Sequence, residues 1–195
     1  VEIMLKQTQL LDSKLMIFNT LVLFLFITCN KRPIPSKLDN QYNSSLIKDT
    51  AVNKFILQDT LSILRQVGDI SKLIEDDFNL GECVTLLNNS ESEYLKIKRE
   101  YGGFNNQYSY FCVGYKNEKV QKSKILRDSN FTSNKGAFLG MLQEDFLKKY
   151  SEIAFNKVTD KDTITYAFIN KQNIYEARYV FVNNKLIKFE FGYQD

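Results

Sequence analysis

The sequence predicts an α+β fold, an antiparallel β-sheet with short helices packed on one side, preceded by a signal peptide. Three observations carry this expectation. Residues 163–169, 175–182 and 185–193 are rich in β-branched and aromatic side chains and read as strands. Residues 136–150, GAFLGMLQEDFLKKY, switch to helical spacing. Fifteen Phe and eleven Tyr among 195 residues supply enough bulky apolar surface for one core, at a length that suits one domain plus an anchor or tail.

The N-terminus reads as a targeting segment. Residues 15–28, LMIFNTLVLFLFIT, carry no charge and follow Lys6 and Lys14. As a helix they span roughly 21 Å, short of the ~30 Å hydrocarbon core of a bilayer. A basic lead, a short apolar stretch and a small residue at its end are the layout of a signal peptide over residues 1–28, and initiation at Met4 keeps both lysines. Phe26-Ile27-Thr28-Cys29 resembles a bacterial lipobox, whose cysteine thiol accepts diacylglycerol. Phe26 stands where Leu is commonest, and Thr28 where Gly, Ala or Ser is usual. The resemblance implies that Cys29 is the lipidation site and that acyl chains hold the protein to the membrane, each buried CH₂ contributing ~0.8 kcal/mol. A plain cleaved secretory signal and a retained membrane helix are the alternatives.

Residues 29–45 are polar, contain both prolines of the chain and read as a tether with an r.m.s. reach of about 20–24 Å. Surface-exported lipoproteins of the bacteroidete type bear acidic residues just after the acylated cysteine, whereas this chain has Asn30-Lys31-Arg32. That departure implies a periplasm-facing position, in the outer membrane.

Residues 46–195 read as a single α+β domain. Within 46–66, Val52, Phe55, Ile56 and Leu64 fall near helical spacing, while 55–57 and 61–63 suit a strand equally well. Residues 94–98 alternate, Gly102-Gly103 and Asn105-Asn106 break the chain, 107–115 is aromatic and β-prone, and 119–126 adds a third strand to a meander. In the helical stretch Met141, Phe146 and Leu147 line one face, and Lys148 and Lys149 suit its C-terminal dipole. Asn183-Asn184 is a two-residue hairpin signal, because Asn tolerates the positive φ of a type I′ turn. That register sets Val180 against Ile187 and Phe181 against Leu186. No internal repeat is legible, since the residues after Leu80-Gly81 and Leu139-Gly140 do not agree.

Leu139-Gly140-Met141, Glu144-Asp145-Phe146-Leu147, Tyr166 and the run 179–191, YVFVNNKLIKFEF, carry a resemblance over residues 136–193. They look like the superfamily of the outer-membrane lipoprotein SmpA/OmlA (BamE) and the β-lactamase inhibitor protein. Leu142 departs from the Ser or Thr that caps the family's helix, a loss of order 1 kcal/mol if nothing substitutes. Ser151-Glu152-Ile153 replaces its Gly-Pro. The resemblance implies an exported protein-binding module. Its inhibitor branch implies inhibition of a secreted hydrolase (lysozyme, protease or β-lactamase) through a loop such as 102–107.

The absence of His excludes Ser-His and Cys-His catalytic pairs, a histidine zinc site and a histidine pH switch. A net charge of +3 is too small to imply nucleic acid. Cys83 and Cys112 either pair, closing a loop of about 29 residues for ~3–4 kcal/mol, or remain separate buried thiols. Glu75-Asp76-Asp77, and Asp160 with Asp162, read as solvated turns; a hydrolase centred on Asp76 and Asp77 is the enzymatic alternative. Tyr108, Tyr110, Phe111 and Tyr115, near Lys116, Lys119, Lys122 and Lys124, suit a protein-binding face or a plain core, and export sets nucleic acid aside. The expected protein is a membrane-anchored envelope lipoprotein with a protein partner, no catalytic residue, no cofactor and no metal.

Overall fold

A nine-stranded sheet, with both described helices preceding its two halves, organises the chain. The structure is a computed structural model that describes residues 48–77, 81–99, 108–117, 120, 122–171 and 174–193. Cys29, the signal segment, the tether and the loop 102–107 lie outside the described residues. A short hairpin of β1 (Ala51–Val52) and β2 (Phe55–Ile56) leads into α1 (Thr60–Val67). So 46–66 divides into hairpin and helix, each of the two sequence readings holding for part of it.

The Asp59 carboxylate caps α1 by accepting the Ser62 N–H at 3.2 Å, and Gly68, at φ 75°, ends it. A four-stranded antiparallel meander follows: β3 (Ile74–Asp77), β4 (Gly81–Leu87), β5 (Glu93–Arg99) and β6 (Tyr108–Tyr115). β7 (Lys124–Ile125) is shorter than the predicted strand and pairs in parallel with β4 rather than extending the meander. Then α2 (Gln143–Lys149) precedes a second meander of β8 (Asn156–Asp160), β9 (Thr163–Asn170), β10 (Tyr175–Val182) and β11 (Lys185–Tyr193). β6 pairs antiparallel with β11, giving the order β3-β4-β5-β6-β11-β10-β9-β8.

The topology therefore repeats although the residues do not. Each half is one short helix followed by four strands. Aligned on their caps, Ile63 matches Phe146 and Val67 matches Tyr150, all buried, while Leu64 matches Leu147, both exposed. The repeat lives in order and burial pattern rather than residue identity. Leu147 is accordingly not a core residue of its helix, whereas Phe146 is, and Met141 is buried just before the helix starts.

Leu142 does stand at the N-cap of α2 without a side-chain cap bond. Glu144 and Asp145 in the first turn and Lys148 and Lys149 in the last complement the dipole instead. The chain before α2 is laced to β11: Gly140 N–H donates to the Leu186 carbonyl at 2.7 Å, and Leu186 N–H to the Met141 carbonyl at 2.9 Å. Gly140 takes φ 87°, a conformation its lack of a Cβ makes accessible.

The Asn183-Asn184 hairpin forms with φ 50° and 61°, and Phe181 pairs with Leu186 as expected. Val180 pairs with Lys188 instead of Ile187, because a bulge inserts Ile187 into β11. At the seam between the halves, the Phe111 and Phe191 rings meet edge-on at 5.9 Å. A Cβ at Gly192 would collide there with the Ser109 carbonyl oxygen, so glycine permits the close approach of β6 and β11.

Candidate functional site

Strand alternation sends two sets of residues to opposite faces of the sheet. Val84, Leu86, Leu95, Ile97, Phe111, Val113, Ala177, Tyr179, Phe181, Phe189 and Phe191 belong to the core with Ile63, Val67 and Phe146 of the helices. The alternate residues form the other face, helix-free in that neither described α-helix packs on it, although Cys83, Tyr110, Cys112, Glu176 and Glu190 are buried there. Its central row runs Lys96, Cys112, Glu190, Arg178, Ala167 across β5, β6, β11, β10 and β9. The neighbouring row is Lys98, Tyr110, Gly192, Glu176, Ile169.

Charges on this face are organised by β10 and β11. Arg178 Nη2 lies 3.2 Å from Glu176 Oε2, and its Nη1 lies 3.7 Å from Glu190 Oε1. Lys188 Nζ holds Glu190 Oε2 at 2.7 Å. Tyr110 Oη donates to Glu176 Oε1 at 3.4 Å. Burial first, and then the Glu190 and Glu176 charges, hold the Tyr110 phenol well above its ordinary value, so it remains a donor. Lys96 Nζ lies 5.6 Å from the centre of the Tyr94 ring. Lys96, Lys98, Arg178 and Lys188 of the central strands stand among Glu176 and Glu190, and the same ladders bring Glu75 of β3, Asp160 of β8 and Lys185 of β11 to this face, so charges of both signs are spread across it.

Cys83 and Cys112 both lie on this face, but no disulfide joins them. Cys83 is on β4 opposite Lys98 and Cys112 on β6 opposite Lys96, two strand spacings across and two residues along, roughly 12 Å apart. A disulfide needs Cα atoms within about 7 Å. Both are buried, and burial pushes the Cys112 thiol up to about 12. Neither is expected to react with iodoacetamide at pH 8 in the folded protein, and both are expected to react after unfolding without reductant. Peptide mass spectrometry reads this directly, and protection that persisted in denaturant would mean a bridge.

The other sequence-predicted residues scatter. Phe111 and Tyr108 are core, Tyr110 is on the helix-free face, and Tyr115 is 39% exposed. They do not form one aromatic surface. Lys116 pairs with Glu91 at 3.2 Å, Lys122 donates to the Ile74 carbonyl at 3.4 Å, and Lys124 to the Val67 carbonyl at 2.6 Å. Lys119 lies outside the described residues. Glu75-Asp76-Asp77 is no turn: it belongs to β3, at one end of the sheet. Asp162 falls in the β8–β9 turn, beyond Asp160 at the end of β8. Among the described residues no group of three or more His, Cys, Asp or Glu converges as metal ligands, and no helix is long and apolar enough to cross a membrane.

Sequence reasoning missed two polar features. One is the helix-free ion cluster, whose signal was the alternation of Tyr94, Lys96 and Lys98 with Leu95 and Ile97. The other is Glu93, buried on the core side, whose Oε2 accepts the Phe131 N–H at 2.9 Å. Burial lifts its carboxyl above the ordinary carboxylate range, and the Phe131 N–H offsets this only in part. The folded protein therefore holds this proton more readily than the unfolded chain. Its contribution to stability is full below the unfolded value of 4.5 and is lost as pH rises through the raised folded value. Glu93→Gln keeps an acceptor for Phe131 and is expected to flatten that fall. Urea melts across the range measure it, and parallel pH profiles for the two proteins would contradict it.

No family model and no curated protein matches this chain. Among solved structures it is similar to an extracellular protein containing an SCP domain from Bacillus anthracis, at 14% identity and a TM-score of 0.40. The match covers 81% of this chain and 50% of that one, so the chain spans about half the length of that protein. No family assignment follows.

Proposed function

We propose that the protein is a cell-envelope lipoprotein, acylated at Cys29, whose α+β domain is a non-catalytic binding module for an envelope protein. The observation that supports this reading is the helix-free sheet face. A fixed ion cluster lies at its centre, and Arg178 and Lys188 reach solvent. Such a face suits a protein partner whose charges answer this fixed pattern, because complementary charge favours the right encounter and penalises the wrong one.

The test is cross-linking in native membranes of the wild type and of a Lys96→Glu/Lys98→Glu pair, with the mass of the Cys29 peptide measured alongside. The expected result is a lipid-modified Cys29, a specific envelope partner captured by the wild type, and at least a tenfold loss of capture by the variant at unchanged melting temperature. Equal capture by both proteins would remove the face from the reading, and an unmodified Cys29 would remove the anchor. If the captured partner is a secreted hydrolase whose activity falls on binding, the module is an inhibitor.

A further inference from the structure

The two ends of the sheet differ, and the difference points to a self-association surface. At one end β3 carries three successive acidic residues, Glu75-Asp76-Asp77, and Lys122 Nζ already occupies the Ile74 carbonyl. The β4 edge beyond β3 is covered by β7. At the other end β8 pairs with β9 alone among the described strands, and all five of its residues, Asn156 to Asp160, are exposed. It contains no proline, and its register with β9 is unbroken by a bulge. Of the devices that blunt natural edges, β8 keeps its five-residue length and Lys157 but has neither proline nor bulge.

The register shows what β8 offers. Asp160 pairs with Thr163 across the two-residue turn Lys161-Asp162. In such a hairpin the pair next to the turn exchanges its hydrogen bonds, and the pattern alternates from there. Asn156, Val158 and Asp160 therefore turn their backbone groups to β9, and Lys157 and Thr159 turn theirs outward. A second β8 laid antiparallel, with the two-fold axis at Val158, sets Lys157 against Thr159 of the other copy twice. Each of these is a hydrogen-bonded pair, four bonds in all by the alternation.

The side chains agree with the same register. Val158, 60% exposed, faces its own copy at the non-hydrogen-bonded position, where side chains approach most closely. Asn156 faces Asp160, an amide against a carboxylate, and Lys157 faces Thr159. No like charges oppose. The same operation on β3 brings acidic residues together.

We infer that the outer edge of β8 is a homodimerisation surface, on which two copies of this chain join their sheets through an antiparallel β8–β8 pairing centred on Val158. A five-residue strand buries less than the ~1,000 Å² a permanent interface needs, so monomer and dimer exchange with concentration. The interface is isologous and closes on itself, leaving the β3 ends apart.

The experiment uses the full chain in detergent. Oxidised under copper-phenanthroline, Val158→Cys is expected to give a species of doubled mass several-fold more efficiently than Thr159→Cys or the wild type. The reason is that residue 158 meets itself at about 5 Å between Cβ atoms, whereas residue 159 lies opposite residue 157. In sedimentation, Val158→Asp and Val158→Lys are each expected to remain monomeric at concentrations where the wild type doubles its mass. Their equimolar mixture is expected to restore the dimer. Because Val158 is exposed, these variants should melt with the wild type. Equal cross-linking of positions 158 and 159, a wild type that stays monomeric at every soluble concentration, or products larger than a dimer would overturn the inference. So would cross-linking of Val158→Cys to a different protein in place of itself.

Discussion

Asp49→Ala is expected to destabilise the domain by about 4 kcal/mol, lowering its melting temperature by about 10 °C. Asp49 is 1% exposed, yet it sits in a polar stretch just before β1. Its Oδ2 accepts hydrogen bonds from Tyr150 Oη, at 2.8 Å, and from Tyr179 Oη. Its Oδ1 accepts the Lys135 N–H at 3.0 Å, and its backbone carbonyl accepts Tyr175 Oη at 2.7 Å. Burial first, then the Asp49 charge, keeps the Tyr150, Tyr175 and Tyr179 phenols well above their ordinary values, so all three stay donors. Alanine strands the Tyr179 phenol and the Lys135 amide, while Tyr150 Oη keeps Ser133 Oγ at 3.2 Å, and each buried donor so left costs about 1–3 kcal/mol. Asn keeps one acceptor and should lose roughly half as much. Urea unfolding of the three proteins measures this, and an alanine variant within about 1 kcal/mol of wild type would mean that water repairs the cluster.

Nothing in the sequence marks Asp49, because its partners lie 101 and 130 residues away and a lone carboxylate among polar residues looks solvated. The strands of the second half were legible for the opposite reason. β10 and β11 are made of β-branched and aromatic residues, and Asn183-Asn184 can take positive φ, so local chemistry and fold agree. The bulge at Ile187 was not legible, since both Ile187 and Lys188 are acceptable opposite Val180 and tertiary fit decides between them. β8 and β3 went unseen because exposed or acidic edge strands have no apolar alternation to read. The helix-free face was hidden in a similar way: lysine and glutamate between apolar residues read as a solvated side, and only the ladder places Glu190 between Lys188 and Arg178.

Phe146→Ala is expected to cost about 4–5 kcal/mol, at the upper end for an aromatic truncation. Phe146 is fully buried, with ring centres at 4.5 Å from Tyr150, 4.7 Å from Tyr179, 5.2 Å from Phe181, 5.4 Å from Phe155 and 5.7 Å from Tyr166. The cost of a cavity depends on whether its walls can collapse. Here they cannot move freely. Tyr150 and Tyr179 are pinned by Asp49, and Tyr166 Oη accepts from Gln143 Nε2 at 2.9 Å. Its counterpart in the first half, Ile63, should cost less, about 2–4 kcal/mol. The shared walls also predict coupling: the Asp49→Ala/Phe146→Ala pair should lose less than the sum of its parts, because unpinned tyrosines can fill the cavity. A double-mutant cycle in urea tests this, and strict additivity would show that the aromatic cluster and the buried carboxylate stabilise the fold independently.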